Sequence, residues 1–300
     1  MTSLRSPLPW IGGKYYSAQR ILGAFPPPQN YDVYVELFGG AAHVLIQKPR
    51  YKHIEVYNDI TNDLVNFWLL CRDHGQELEE RCRSLPYARS LYYVYHRSLF
   101  DGTPLEPLER AARWFYVLRS NFSGRPLTHV ATGWSAGAKD EHHSAAHSYH
   151  TALDLFPLVQ QRLQRVMIDN RDFAEVFKEY SRRRVLFYVD PPYIGCEKYY
   201  QTAPGAFTLA DHQRLAILLN NTSAYVALSY YPHHLLDDLY PSSKWRRTTW
   251  RTTKHSQRTK ETRDAATELL LTNYAPGASL WDSERSVGAP MHSDCYPESA

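Results

Sequence analysis

The stretch YDVYVELFGGAAHVLIQK, Tyr31 to Lys48, changes its period halfway along. Val33, Val35 and Leu37 alternate as in a strand. Gly39-Gly40 then interrupts, and alanines and aliphatics recur at helical spacing. The next segment, HIEVYNDI (His53 to Ile60), reads as a second strand, and TNDLVNFWLLCRDH after it as an amphipathic helix. Strand, helix, strand, helix implies a parallel sheet joined by crossovers.

Further along, this rhythm breaks and then resumes. Between about Leu85 and His150 tyrosine, arginine, histidine, serine and glycine dominate, which suggests an inserted, helical or irregular subdomain. RVMIDN, the helix DFAEVFKEY and the strand VLFYV restore the pattern. TLADHQRLAILLNN follows as a helix with Thr208 as its N-cap, and AYVALSYY as a strand. SKWRRTTWRTT and TELLLTNY close the sheet. From Pro276 the chain is rich in Pro, Gly, Ser and acid, the composition of a flexible tail. The expected division is a core of residues 1–84 and 165–275, an insert of 85–164 and a tail of 276–300.

The chain has 300 residues, 43% hydrophobic and 22% charged, as expected of an ordinary globular core. Its net charge of +3 is small, so affinity for nucleic acid requires local patches. The N-terminal MTSLRSPLPW lacks the apolar segment of a signal peptide, and no apolar run has the length of a membrane span. Cys71, Cys82, Cys196 and Cys295 have no CxxC spacing and fit free thiols of a cytoplasmic protein.

In such sheets ligands sit at the carboxyl ends of strands. Two strand ends stand out. Phe38-Gly39-Gly40 allows close approach to the backbone. VLFYVDPPYIG (Val185 to Gly195) runs from a buried strand into Asp190-Pro191-Pro192-Tyr193. Asp-Pro after a strand is common turn chemistry. Two consecutive prolines are more specific, because they remove two donors and leave the Asp190 carboxylate and backbone carbonyls as acceptors. Acceptors beside a flat ring suit a planar ligand with an amino group, such as a nucleobase. Asp59, at the end of the second strand, reads either as a cap or loop residue or as an acceptor for ribose hydroxyls. Neither G-x-G-x-x-G nor G-x-x-x-x-G-K-[ST] is present. A nucleoside ligand without pyrophosphate fits best, and S-adenosylmethionine is the commonest of these.

With these pieces in order, from about Pro7 to Ala275, the chain resembles the Dam-type DNA adenine-N6 methyltransferases. Trp10-Ile11-Gly12-Gly13-Lys14 is similar to that family's N-terminal signature. Glu36-Leu37-Phe38-Gly39-Gly40 matches its cofactor loop, Asp59 its ribose acid, and Asp172-Phe173 the pair that meets the cofactor's adenine. Asp190-Pro191-Pro192-Tyr193 matches its catalytic motif. Asp172 equally suits a cap for the helix that Phe173 opens. The resemblance implies a Rossmann-like α/β methyltransferase sheet with an inserted target-recognition subdomain. It also implies methyl transfer from S-adenosylmethionine to the amine of a flipped adenine, without a metal. Asp190 and the Pro191 carbonyl would accept the two amine hydrogens, and Tyr193 would stack on the base.

The implied partner is double-stranded DNA, met by a cytoplasmic monomer of bacterial or phage origin. Whether a restriction enzyme accompanies it stays open. So do cytosine-N4 or RNA adenine methylation, and a DNA-binding protein without activity. Ala42 and His43 replace the glycine and the small hydroxyl residue usual in the cofactor loop. Phe122-Ser123-Gly124 stands where GATC-reading members resemble Tyr-Asn-Gly, which speaks against GATC as the target. Arg119, Asn121, Ser123 and Arg125 are the expected base readers. KWRRTTWRTTKHSQRTKETR (Lys244 to Arg263) has eight Lys/Arg against Glu261 alone. It reads as a solvated loop or as a hairpin on the phosphates, with Arg246, Arg247, Arg251 and Lys254 in contact. His142, His143, His147 and His150 lack the cysteine or spaced acid of a convincing zinc set, and a solvated or phosphate-contacting loop is the better reading.

Overall fold

A computed structural model describes residues 4–121, 127–137, 144–181, 184–196, 207–253 and 265–275. In chain order the elements begin with α1 (Ala18–Gly23), β1 (Val33–Glu36), α2 (His43–Gln47) and β2 (Ile54–Asn58). Six helices follow: α3 (Asn62–Asp73), α4 (Gly75–Arg83), α5 (Arg89–Phe100), α6 (Pro107–Ser120), α7 (Ala145–Leu153) and α8 (Phe156–Leu163). The chain continues with β3 (Val166–Asp169), α9 (Phe173–Tyr180), β4 (Val185–Val189) and α10 (Leu209–Asn220). It closes with β5 (Tyr225–Tyr230), α11 (Leu235–Leu239), β6 (Arg246–Thr253) and β7 (Ala265–Thr272). The elements expected from periodicity are present, including the Thr208 cap, which forms a capping box with Asp211.

The sheet order is β3-β2-β1-β4-β5-β7-β6. Strands β1 to β5 pair in parallel, and β7 runs antiparallel to both β5 and β6. From β1 the chain moves outward through β2 to β3, and from β4 it moves outward the other way. The strand order therefore reverses between β1 and β4, and their carboxyl ends open the crevice where an α/β sheet binds its ligand.

Both faces of the sheet are covered, which is why its inner strands are apolar throughout rather than alternating with polar residues. Val33, Val35, Phe187, Val189, Val226 and Leu228 pack with α9 and α10 on one face. Tyr34, Leu186, Tyr188, Ala227 and Leu270 point to the other, into a core shared with the helices between β2 and β3. There Phe67 of α3 stacks on Phe115 of α6, with ring centroids 5.5 Å apart. Cys71 and Cys82 are free and buried in the same core. No helix among the described residues is long and apolar enough to cross a membrane.

Candidate active site

The glycine turn after β1 is fixed from three sides. Asp59 Oδ2 accepts the Gly40 N–H at 2.9 Å, and its Oδ1 accepts that of Thr61 at 2.9 Å. The Gly40 carbonyl accepts the Tyr57 hydroxyl at 2.7 Å and the Trp68 indole at 3.1 Å. A Cβ on Gly39 would stand 2.0 Å from the Tyr57 ring, so this position demands glycine. Gly40 has φ +49° and lies under Trp10, whose indole nitrogen is 2.8 Å from where its Cβ would be. Asn58 links the loops, donating to the carbonyls of Leu37 (3.0 Å) and Arg171 (3.1 Å). This acid-and-amide brace explains why the second strand ends in Asn-Asp. Asp59 is tied to the turn, yet a carboxylate has about four acceptor positions and keeps some for a ligand. Burial raises its pKa, against its backbone hydrogen bonds.

One cleft of about 310 Å³ gathers Trp10, Gly12, Gly13, Lys14, Glu36, Phe38, Gly40, Asp59, Asp172, Phe173, Asp190 and Pro192. The two strand ends singled out in the sequence thus face one crevice. At one end Phe38, Phe173 and Phe207 form an aromatic cluster, with Phe38 and Phe173 centroids 5.4 Å apart and Phe38 and Phe207 5.6 Å apart. Asp172 is the N-cap of α9, accepting the Ala174 N–H at 2.9 Å, and also pairs with Arg214 at 2.6 Å. The Arg214 guanidinium lies 4.4 Å above the Phe173 ring.

At the other end, Lys14 is buried and donates to the Gly12 carbonyl (2.7 Å) and to Asp190 Oδ2 (2.9 Å). Asp190 Oδ1 is buried with no hydrogen-bond partner. Burial raises the Asp190 pKa, and Lys14 opposes that rise. Glu36 accepts the Tyr34 hydroxyl at 2.8 Å, and its pKa is pushed up to about 8 by burial, with Asp190 adding to the effect. Burial, then the Lys14 charge, pulls the His43 pKa down to about 4 and keeps the ring neutral. His43 Nδ1 is also buried without a partner.

Tyr193 differs from the stacking plate expected of it. Its ring is 6% exposed, against Tyr230 and Tyr231, and the Lys14 ammonium is 4.9 Å from its centroid. Its hydroxyl donates to Glu268 Oε2 at 3.1 Å. The ring is part of the wall behind Asp190, because β5 and β7 close over it. Pro191 is buried, and Pro192 borders the cleft.

The expected DNA contacts divide. Arg246 and Arg251 are exposed and make no hydrogen bond or ion pair with other described residues. By strand alternation Arg251 shares a face with Arg247, and Arg246 lies on the other. Arg247 is committed to Asp237 (2.5 Å) and to the carbonyls of Leu236 and Tyr240, so it braces α11 rather than standing free. Arg119 is likewise turned inward. It donates to Ser148 Oγ at 2.7 Å, and burial pulls its pKa down to about 10. Asn121 is buried, bridged to Trp134 and bonded to Thr132. In the free protein α7 holds Arg119 and the segment of Thr132 and Trp134 holds Asn121. Ser123, Arg125, Lys254, His142 and His143 lie outside the described residues. His147 and His150 are exposed on α7, and among the described residues no three His, Cys, Asp or Glu side chains are grouped to hold a metal.

Sequence reasoning noted His43 as a departure in the cofactor loop but missed Asn58, Phe207, Arg214 and Glu268. Of these only Glu268 left a signal, an acid beside the apolar run Leu269-Leu270-Leu271 of a closing strand.

The chain matches the family described as D12 class N6 adenine-specific DNA methyltransferase over residues 10–254. It is 24% identical over 254 residues to a DNA adenine methylase of Haemophilus influenzae, covering 80% of this chain and 84% of the relative. It is 25% identical over 288 residues to a type II methyltransferase of Lactococcus lactis subsp. cremoris, covering 91% and 96%.

Proposed function

The chain belongs to the D12 class of N6 adenine-specific DNA methyltransferases, with the Rossmann-like sheet of such enzymes, and on that premise we propose how its residues divide the work. S-adenosylmethionine is the methyl donor; it carries the methyl on a sulfonium and leaves as a neutral thioether, so no acid is needed to assist departure. The cleft suits it. The Phe38, Phe173 and Phe207 rings offer faces for an adenine, and Asp172 and Arg214 its polar edge. Asp59 takes the ribose hydroxyls, and Gly39-Gly40 with Trp10 and Gly12-Gly13 border the amino-acid tail.

The acceptor is the exocyclic amine of an adenine turned out of double-stranded DNA, at a cost of a few kcal/mol. Its nitrogen lone pair is delocalised into the ring. Hydrogen bonds from both amine hydrogens to fixed acceptors draw the nitrogen toward tetrahedral geometry and aim the lone pair at the methyl. Asp190 Oδ1 accepts one hydrogen and the Pro191 carbonyl the other. In the transfer the nitrogen–methyl bond would form as the methyl–sulfur bond breaks with its electron pair left on sulfur, and the nitrogen would then pass one proton, by way of the Asp190 carboxylate, to solvent. Residues 85–164 act as the target-recognition subdomain, and Arg246 and Arg251 contact phosphates. The protein is read as a monomer, and its target sequence as other than GATC.

The observation that carries this reading is Asp190, with Oδ2 held by Lys14 and Oδ1 left without a partner at the mouth of a β1/β4 crevice. Asp190→Ala should lower the single-turnover methylation rate by roughly a hundredfold or more, with the fold and S-adenosylmethionine binding largely retained. Near-normal turnover in that variant would defeat the mechanism. Nucleoside analysis of methylated plasmid separates N6-methyladenine from N4-methylcytosine.

A further inference from the structure

Glu268 stands behind the DPPY motif, on β7, and is 6% exposed. An acid in that place is costly unless it is bonded or compensated. Its surroundings supply both. The Tyr193 hydroxyl donates to Oε2 at 3.1 Å, and Lys14 is close enough to oppose the rise that burial imposes on its pKa. The Tyr193 ring in turn lies under the Lys14 ammonium at 4.9 Å, and that ammonium reaches Asp190 Oδ2 at 2.9 Å. Glu268, Tyr193, Lys14 and Asp190 therefore form a continuous chain of contacts. Strand β7 would close the sheet as well with an apolar residue, since Ala266 and Leu270, two residues away on either side, are apolar and buried.

We propose that Glu268 is a positioning residue for methyl transfer. It fixes the Tyr193 ring under Lys14, which holds Lys14 on Oδ2 of Asp190 and reserves Oδ1 for the amine of the target base. The acid acts as a hydrogen-bond acceptor, so its amide analogue serves nearly as well. This rests on the reading of Asp190 given above. It also couples two parts of the protein, because β7 pairs along its length with β6, which carries Arg246 and Arg251.

The test compares Glu268→Gln, Glu268→Leu, Tyr193→Phe and the Glu268→Leu/Tyr193→Phe double variant in the full chain. Single-turnover methylation, S-adenosylmethionine affinity, KM for DNA and melting temperature are measured for each. Glu268→Gln keeps an acceptor oxygen and should stay within about threefold of the parent rate. Glu268→Leu and Tyr193→Phe should each slow the chemical step by roughly tenfold or more through misplacement of the reacting groups, with cofactor affinity and KM for DNA little changed. The double variant should be no slower than Tyr193→Phe alone, since that variant already removes the donor that Glu268 holds. A Glu268→Leu enzyme at full rate, beside an inactive Asp190→Ala, overturns the role of Glu268 and leaves the reading of Asp190 intact. An active Asp190→Ala defeats that reading itself. If Glu268→Leu does not fold, Tyr193→Phe carries the test, and an unchanged rate there overturns the proposal. Equal losses in Glu268→Gln and Glu268→Leu also overturn it, because charge and not hydrogen bonding would then be at work.

Discussion

Two buried charge clusters lie against this sheet, and they are built on opposite principles. At the start of β2, Glu55 is 6% exposed and all its acceptor oxygens are engaged. Oε1 accepts from Lys48 (3.1 Å) and Arg162 (3.0 Å), and Oε2 from Arg162 (2.7 Å). Arg162 also donates to the Leu45 carbonyl at 2.6 Å. The cluster ties α8 and the end of α2 to β2. At the end of β4, Asp190 Oδ2 is bonded to Lys14 and the Tyr193 hydroxyl also acts on this carboxylate, while Oδ1 is buried without a hydrogen-bond partner. A buried acid with both oxygens bonded is a brace, whereas one with an oxygen left unbonded is prepared for something that arrives later.

The largest effect should come from opening the brace. Glu55→Ala strands Lys48 and Arg162 without their acid, and about 3–5 kcal/mol of unfolding free energy should be lost in a denaturant titration. Asp190→Ala strands one cation where Glu55→Ala strands two, and Lys14 keeps its bond to the Gly12 carbonyl, so less stability should be lost. If the two variants are equally destabilised, the contrast between brace and site is wrong.

Asp59 combines both characters, since it fixes the glycine turn and borders the cleft. Asp59→Ala should weaken S-adenosylmethionine binding by about 1–3 kcal/mol in calorimetry. An unchanged dissociation constant would mean that the ribose is held elsewhere and that Asp59 belongs with the braces.

Glu36 gives the comparison a pH dependence. With its pKa raised to about 8 by burial and then by Asp190, it holds a proton at pH 7 in the free protein. A sulfonium entering the same cleft favours the carboxylate, so binding releases that proton. Affinity for S-adenosylmethionine should therefore rise from pH 6 toward 8 and level off above, with at most about a tenfold change per pH unit. S-adenosylhomocysteine, which lacks the sulfonium charge, should show a shallower slope. Calorimetry in two buffers of different ionisation enthalpy would count the protons, and equal slopes for both ligands would remove Glu36 from the account.

The smallest effect concerns the turn itself. Ala42 has φ +54°, and it is the one residue other than glycine found at positive φ among the described residues. Holding alanine there costs about 1–2 kcal/mol, partly offset by the entropy that glycine would lose. Ala42→Gly should raise stability by roughly 0.5–1 kcal/mol, seen as a small rise in melting temperature. A fall instead would show that the Ala42 methyl contributes more through packing than the backbone loses through strain.

Much of the fold was legible because period and turn chemistry are local properties. The shift from alternation to helical spacing at Gly39-Gly40 placed a strand end, and two prolines after Val189 placed another. Parallel strands end on one edge, so both motifs had to share a crevice. Which groups meet across that crevice was decided by packing. Lys14 comes from the N-terminal segment and finds Asp190 only because β4 sits beside β1. Tyr193 and Glu268, 75 residues apart, meet because β7 inserts beside β5 with its direction reversed. The same holds for the cations. Arg119 and Arg247 look like free cations in the sequence, and only the seating of α7 and α11 shows that Ser148 and Asp237 already hold them. Charge and spacing are written in the chain itself, whereas the occupancy of a charge depends on neighbours that only the folded sheet brings near.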